Sequence, residues 1–271
     1  MLQALLSHPF LITSFLAGVA ASITSGIVGS YVVAKRIVFI SGSIAHSVLG
    51  GMGFFLWLKQ NYQIEWLNPL QGALFAAIIS ALLIGWIHLK YREREDTVIA
   101  AIWSTGMALG VIFISLTPGY NVELMNFLFG NILWTSASDL VLLFSLAALI
   151  FLATLLFHAK FQAVCFDENQ AALKGISVNK YYLFLLTLVA ISVVILIQIV
   201  GAILVIAMLA IPAAIAGGHS KKLSTMMGLS VVIGCLMTTI GLVFSYFIDW
   251  PPGATIALTA ATLYLLNLLK K

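Results

Sequence analysis

The 271 residues are 62% hydrophobic and only 8% charged, against about 25% charged in an ordinary globular protein, which excludes a soluble enzyme and points to an integral membrane protein. A net charge of +4 does not argue for a nucleic-acid partner, because in a membrane chain Lys and Arg chiefly mark the loops that stay in the cytoplasm. The two cysteines, Cys165 and Cys235, are far apart and offer neither a disulfide framework nor a metal-binding spacing.

The opening stretch MLQALLSHPFLITSFLAGVAAS lacks a basic leader, and its apolar run continues to Val33, so it reads as a first span rather than a signal peptide. Further spans are predicted over 37–58, 69–89, 97–117, 137–157, 181–199, 201–217, 225–248 and 254–269, the first covering 10–33. Each is long enough, or nearly so, to cross ~30 Å of hydrocarbon at ~1.5 Å per residue. As one helix, 181–217 would reach about 55 Å, so a turn is expected at Gln198 to Gly201. LMNFLFGNILW, Leu124 to Trp134, is apolar but too short to span and is expected to be a re-entrant or interfacial helix on the outer side. FDENQAALKGISVNK, Phe166 to Lys180, predicts a short helix on the cytoplasmic surface, begun by Asp167 and Glu168 and ended by Gly175. The expected fold is an all-α integral membrane protein with about eight or nine transmembrane helices, a short re-entrant outer helix and a cytoplasmic surface helix, in one domain over 1–271.

With the N-terminus outside, Lys35, Arg36, Lys90, Arg92, Arg94, Lys160, Lys174, Lys180, Lys221, Lys222, Lys270 and Lys271 all fall on the inner face, and only Lys59 falls outside. That asymmetry fixes the orientation, and a register shifted by one span destroys it. Glu65, Glu123, Asp139 and Asp249 then face outward, giving a mouth whose sign attracts cations.

The stretch SGSIAHSVLGG, Ser41 to Gly51, puts His46 near the bilayer midplane among small residues. Gly42, His46 and Gly50 recur every four residues and share one helical face, which either packs tightly against another helix or borders a passage. Ionisable groups are costly inside a membrane, which favours a ligand in a cation path over a packing hydrogen bonder. Imidazole suits zinc and other transition metals, though a single histidine does not define a site. Further candidates are Glu123, Asn131 and Asp139 around the short outer helix, whereas Met52, Met107, Met125 and Met208 read as core packing. His88, His158 and His219 lie beside basic inner loops and are not assigned to metal. VGAILVIAMLAIPAAIAGG, Val200 to Gly218, places Pro212 inside a span, where it serves either as a packing kink or as a gating hinge. No Walker motif, Gly-x-Ser-x-Gly elbow or His-Glu-x-x-His is present, so the chain is expected not to be an enzyme.

Five stretches, taken together and in order, resemble the membrane permeases of ATP-binding cassette importers for zinc, manganese or iron(II). They are KRIVFISGSIAHSVLGG, REREDTVIAAIWSTGMALG, VELMNFLFGNIL followed by Asp139, VGAILVIAMLAIPAA, and DWPPGATIALTAATLYLL. The resemblance implies a homodimer in the cell membrane, a separate cytoplasmic ATPase that uses ATP, and an extracytoplasmic metal-binding protein that delivers the transported divalent ion. No permanently bound cofactor and no nucleic acid are implied. It also makes 167–178 the coupling helix that docks on the ATPase, with Asp167, Glu168, Ala172 and Gly175 its marked positions.

The chain departs from the family pattern at Gly42, where many members carry an acid, at Gly50, where a proline is frequent, and at Asn131, where some carry an acid. An acid at 42 would add a hard oxygen beside the imidazole, whereas here His46 stands alone on that face. A permease for metal chelates or vitamin B12 is the neighbouring alternative. An ion-coupled secondary carrier would need acids in the middle of a span, and the sequence places none there.

Overall fold

The structure is a computed structural model that describes residues 9–91, 95–117, 127, 130, 132 and 135–269. Among these, all regular structure is helical: α1 Pro9–Lys35, α2 Val38–Tyr62, α3 Pro69–Tyr91, α4 Glu95–Ser115, α5 Ala137–Phe166, α6 Glu168–Leu173, α7 Val178–Val200, α8 Ala202–His219, α9 Leu223–Ile248 and α10 Pro252–Leu268. Eight of them are long and apolar enough to cross a membrane, and α10, with 17 residues, is a shorter apolar helix. The expected break between 181–199 and 201–217 is a single residue, Gly201, whose φ of 82° ends α7 and opens α8. Such an angle suits glycine because it has no Cβ to clash.

The expected boundary that moves furthest is the end of α5. The span predicted over 137–157 continues to Phe166 as a helix of 30 residues, about 45 Å long. Neither Gly nor Pro interrupts it, and it stops only where Asp167 starts the next helix. At its other end Ser136 and Asp139 cap each other. The Ser136 N–H donates to Asp139 Oδ2 at 3.0 Å, and the Asp139 N–H donates to Ser136 Oγ at 3.2 Å.

The chain divides into two compact units, Met1–Arg36 with Asn126–Gln162 and Ile195–Lys271, and Ile37–Met125 with Ala163–Val194. In the first unit α1 packs on α8 and α9, and α10 packs on both of those. Small residues set the α1–α9 seam: a Cβ on Gly18 would touch Thr238 at 3.4 Å, Gly234 faces Ser22 at 3.2 Å, and Gly26 faces Val231 at 2.7 Å. The buried hydroxyls of Ser22 and Ser30 donate to the carbonyls of Gly18 and Gly26 four residues back, both at 2.7 Å, so they need no water.

In the second unit α2 lies between α3 and α4. Its small residues serve both neighbours: Gly51 meets Gly72 of α3, while Ser47, Gly50 and Gly53 meet Gly106 and Gly110 of α4. Ser43 adds a buried hydrogen bond from its hydroxyl to the Ile99 carbonyl at 3.0 Å. Close backbone approach through small residues is how helices associate in lipid. A Cβ on Gly106 would come within 2.5 Å of Ser47 Cα, a backbone atom that cannot yield without moving a helix. Gly106→Ala is therefore expected to cost about 1–3 kcal/mol by overpacking. A wild-type thermal midpoint for that variant in detergent would refute the seam.

Candidate functional site

His46 is carried by the middle of α2 and is partly buried. Its imidazole stacks on the indole of Trp103 from α4, with ring centroids 4.3 Å apart and planes 14° from parallel. The Trp103 Nε1–H in turn donates to the Sδ of Met107, one turn further along α4, at 3.2 Å. Gly42 completes the face, since a Cβ there would lie 3.6 Å from the Trp103 ring. Gly50, four residues after His46, would push a Cβ to 2.8 Å from the Gly106 carbonyl oxygen. The face Gly42–His46–Gly50 thus points at α4 along its whole length. The glycines let α4 approach, and His46 is the one member of the face that offers a lone pair or a proton.

This arrangement presents an imidazole whose plane is fixed on one side by an aromatic wall. Stacking against an indole restrains a ring by about 0.5–1.5 kcal/mol, and it holds for a neutral or a charged imidazole. A ring held in this way keeps its nitrogens in a fixed direction. Among the described residues no cluster of three His, Cys, Asp or Glu stands ready to hold a metal, so His46 belongs to no closed cage there.

A second site is α6. The Asp167 side chain accepts the Gln170 N–H at 2.9 Å and caps the helix start. At the other end Gly175 has φ 76°, its N–H bonds the Ala172 carbonyl at 2.9 Å, and the Ile176 N–H bonds the Ala171 carbonyl at 3.0 Å. This pair of bonds about a left-handed glycine is a Schellman ending. Ala171 is buried and anchors the helix, whereas Ala172 is exposed and Leu173 is 89% exposed. His88, at the end of α3, places Nε2 3.7 Å from Glu168 Oε1 and its ring against Tyr182. The result is a short, rigidly ended helix that offers an apolar residue to its surroundings.

The remaining predicted residues fall elsewhere. Pro212 is buried inside α8, in the first unit, whereas His46 is in the second. Glu123 and Asn131 lie outside the described residues, as does most of the expected outer helix; of that stretch, Phe127 and Ile132 are described and buried. Asp139 is occupied as the helix cap given above, and Met208 is buried in packing. Sequence reasoning missed Trp103 and the link from His88 to Glu168. The spacing of Trp103 and Met107, one turn apart on one helix, was the available signal for the first. For the second no local signal exists, because the partners are distant in the chain.

The chain matches the ABC 3 transport family over residues 7–271. It is 46% identical over 275 residues to a probable metal transport system membrane protein of Chlamydia pneumoniae, covering all of this chain and 94% of that one. It is 32% identical over 268 residues to the manganese transport system membrane protein MntC of Listeria monocytogenes, covering 99% and 93%. Among solved structures, PsaBC from Streptococcus pneumoniae in complex with Fab superposes with a TM-score of 0.85 at 29% identity, over 98% of this chain and 93% of that one. The fold and its spans define a helical, multi-pass protein of the cell membrane. The chain belongs to the ABC 3 transport family.

Proposed function

We propose that the chain, acting over 1–271 as one permease domain, is the membrane subunit of an ATP-driven importer that carries a divalent transition metal into the cytoplasm. The observation that carries this reading is the match to a transport family from end to end, with relatives named for metal and for manganese. Two copies form the pathway, a separate cytoplasmic ATPase supplies the energy, and an extracytoplasmic metal-binding protein delivers the ion. The basic residues set the N-terminus outside, so α6 faces the cytoplasm with Leu173 presented to the ATPase. His46 is the path ligand, Gly42 and Gly50 let its helix close on α4, and Pro212 is a hinge of the path. Glu123 and Asn131 contribute to the outer mouth.

Expression together with its ATPase and metal-binding protein, in cells stripped of their own metal importers, tests the reading. Accumulation of manganese, zinc or iron(II) is expected to rise, to survive collapse of the proton and sodium gradients, and to stop on ATP depletion. Accumulation that follows an ion gradient instead would make the chain a secondary carrier.

Trp103 gives a further expected result. Trp103→Ala removes the wall behind His46 and should lower uptake per assembled complex by up to about tenfold, the equivalent of the stacking energy. Trp103→Phe keeps a ring face and should fall between the two. Equal uptake by all three proteins would remove Trp103 from the path.

A further inference from the structure

The first unit contains a cavity of about 610 Å³ that no part of the proposed transport path uses. Three helices build it, each with one face: Ile23 and Ile27 from α1, Phe151, Thr154, Leu155 and His158 from α5, and Ser224, Met227, Gly228 and Val231 from α9. On each helix these residues follow the three- and four-residue spacing of a single stripe. The α1–α9 seam explains the opening. The two helices are in close contact at Gly26 and Val231, but a Cβ built on Gly228 meets nothing within 4 Å. Across the gap α5 is fastened to α1 by the hydrogen bond between Tyr31 Oη and His158 Nδ1, 2.9 Å long.

The cavity is graded along its length. Val231, Ile23 and Phe151 line one end; Ser224, Ile27 and His158 line the other. Beyond the second end come the exposed Lys221 and Lys222, three and two residues before Ser224. This is the basic end of the bundle, which the orientation proposed above puts in the cytoplasm. Phe151 and Leu155 are 53% and 63% exposed on the outer wall, so the cavity opens toward the surroundings of the helices, which in a membrane are lipid. An apolar slot with a polar end and cations past it has the chemistry of one amphiphile: an acyl chain with an anionic head.

We propose that this cavity binds one anionic phospholipid of the cytoplasmic leaflet, with an acyl chain between α1, α5 and α9 and its phosphate at Lys221 and Lys222. The permease–ATPase complex, reconstituted in vesicles of equal phosphatidylglycerol and phosphatidylcholine and then released into mild detergent, gives the test by native mass spectrometry. One phosphatidylglycerol is expected to stay on each permease chain. Gly228→Leu starts from a Cβ in open space, extends into the slot and improves helix propensity, so it should lose that lipid without loss of assembly. Thr154→Phe fills the slot from α5 and serves as the independent variant. The double change Lys221→Gln and Lys222→Gln should cut the preference for phosphatidylglycerol over phosphatidylcholine by roughly tenfold or more. Equal retention of both lipids by the wild type, or undiminished phosphatidylglycerol on both filled variants, would overturn the proposal. So would a disulfide between two copies through Leu155→Cys, which would make the occupant a second protomer.

Discussion

His46→Gln is expected to leave the permease folded and assembled while lowering metal uptake by about tenfold or more, the scale on which metal sites respond to loss of a tuned nitrogen. Glutamine has similar reach and still forms hydrogen bonds, but its amide is a far weaker ligand than imidazole. The variant therefore separates the two roles open to a histidine on a packed face. If His46 only packed between Gly42 and Gly50 against Trp103, glutamine would fill much of the same space and uptake would persist. His46→Ala should lose uptake equally, and its cost in stability should stay near the energy of one aromatic stack, about 0.5–1.5 kcal/mol. Gly42→Asp adds a carboxylate one helical turn before His46, at a position where a Cβ has ordinary contact distance to Trp103. A changed order of preference among zinc, manganese and iron(II) is expected from it. Uptake and the quantity of assembled complex, measured side by side for the three variants, check these outcomes.

The second large effect belongs to α6. Gly175→Leu forces a side chain into a left-handed backbone at φ 76°, a strain of about 1–2 kcal/mol. Because nothing lies within 4 Å of a Cβ there, the damage comes from the backbone and not from crowding. The Schellman ending should open, Leu173 should lose its fixed direction, and binding of the ATPase should weaken while the permease remains in the membrane. Ala172→Trp reaches the same result by another route, covering the exposed face without strain. Pull-down of the ATPase and metal-stimulated ATP hydrolysis measure both. Wild-type values in both variants would deny α6 its coupling role.

Much of this architecture is legible in the sequence because lipid imposes a simple grammar. Apolar runs of fixed length give the spans, and Gly201 between two such runs marks the break that the structure places there. Asp167 and Gly175 likewise announce the ends of α6. What periodicity conveys is which residues share a face, never which helix that face meets. The pattern Gly42, His46, Gly50 was readable, yet Trp103 as its partner depends on α4 packing beside α2, a contact between distant parts of the chain. The adjacent glycines 50 and 51 show the same limit, since one admits α4 and the other admits α3. Asp139 is different. Ser136-Ala-Ser-Asp139 has the spacing of a capping box in the sequence itself, and the structure forms both of its reciprocal bonds at the start of α5.

If ATP hydrolysis in a partner drives a metal ion through this chain, reconstitution of the two together shows it. Vesicles holding the permease with its ATPase, ATP enclosed on the ATPase side and the metal-binding protein outside, should accumulate manganese, zinc or iron(II). Vesicles lacking only the ATPase should accumulate none. Equal accumulation with and without the ATPase, or accumulation of chelated metal in place of the free ion, would contradict the account.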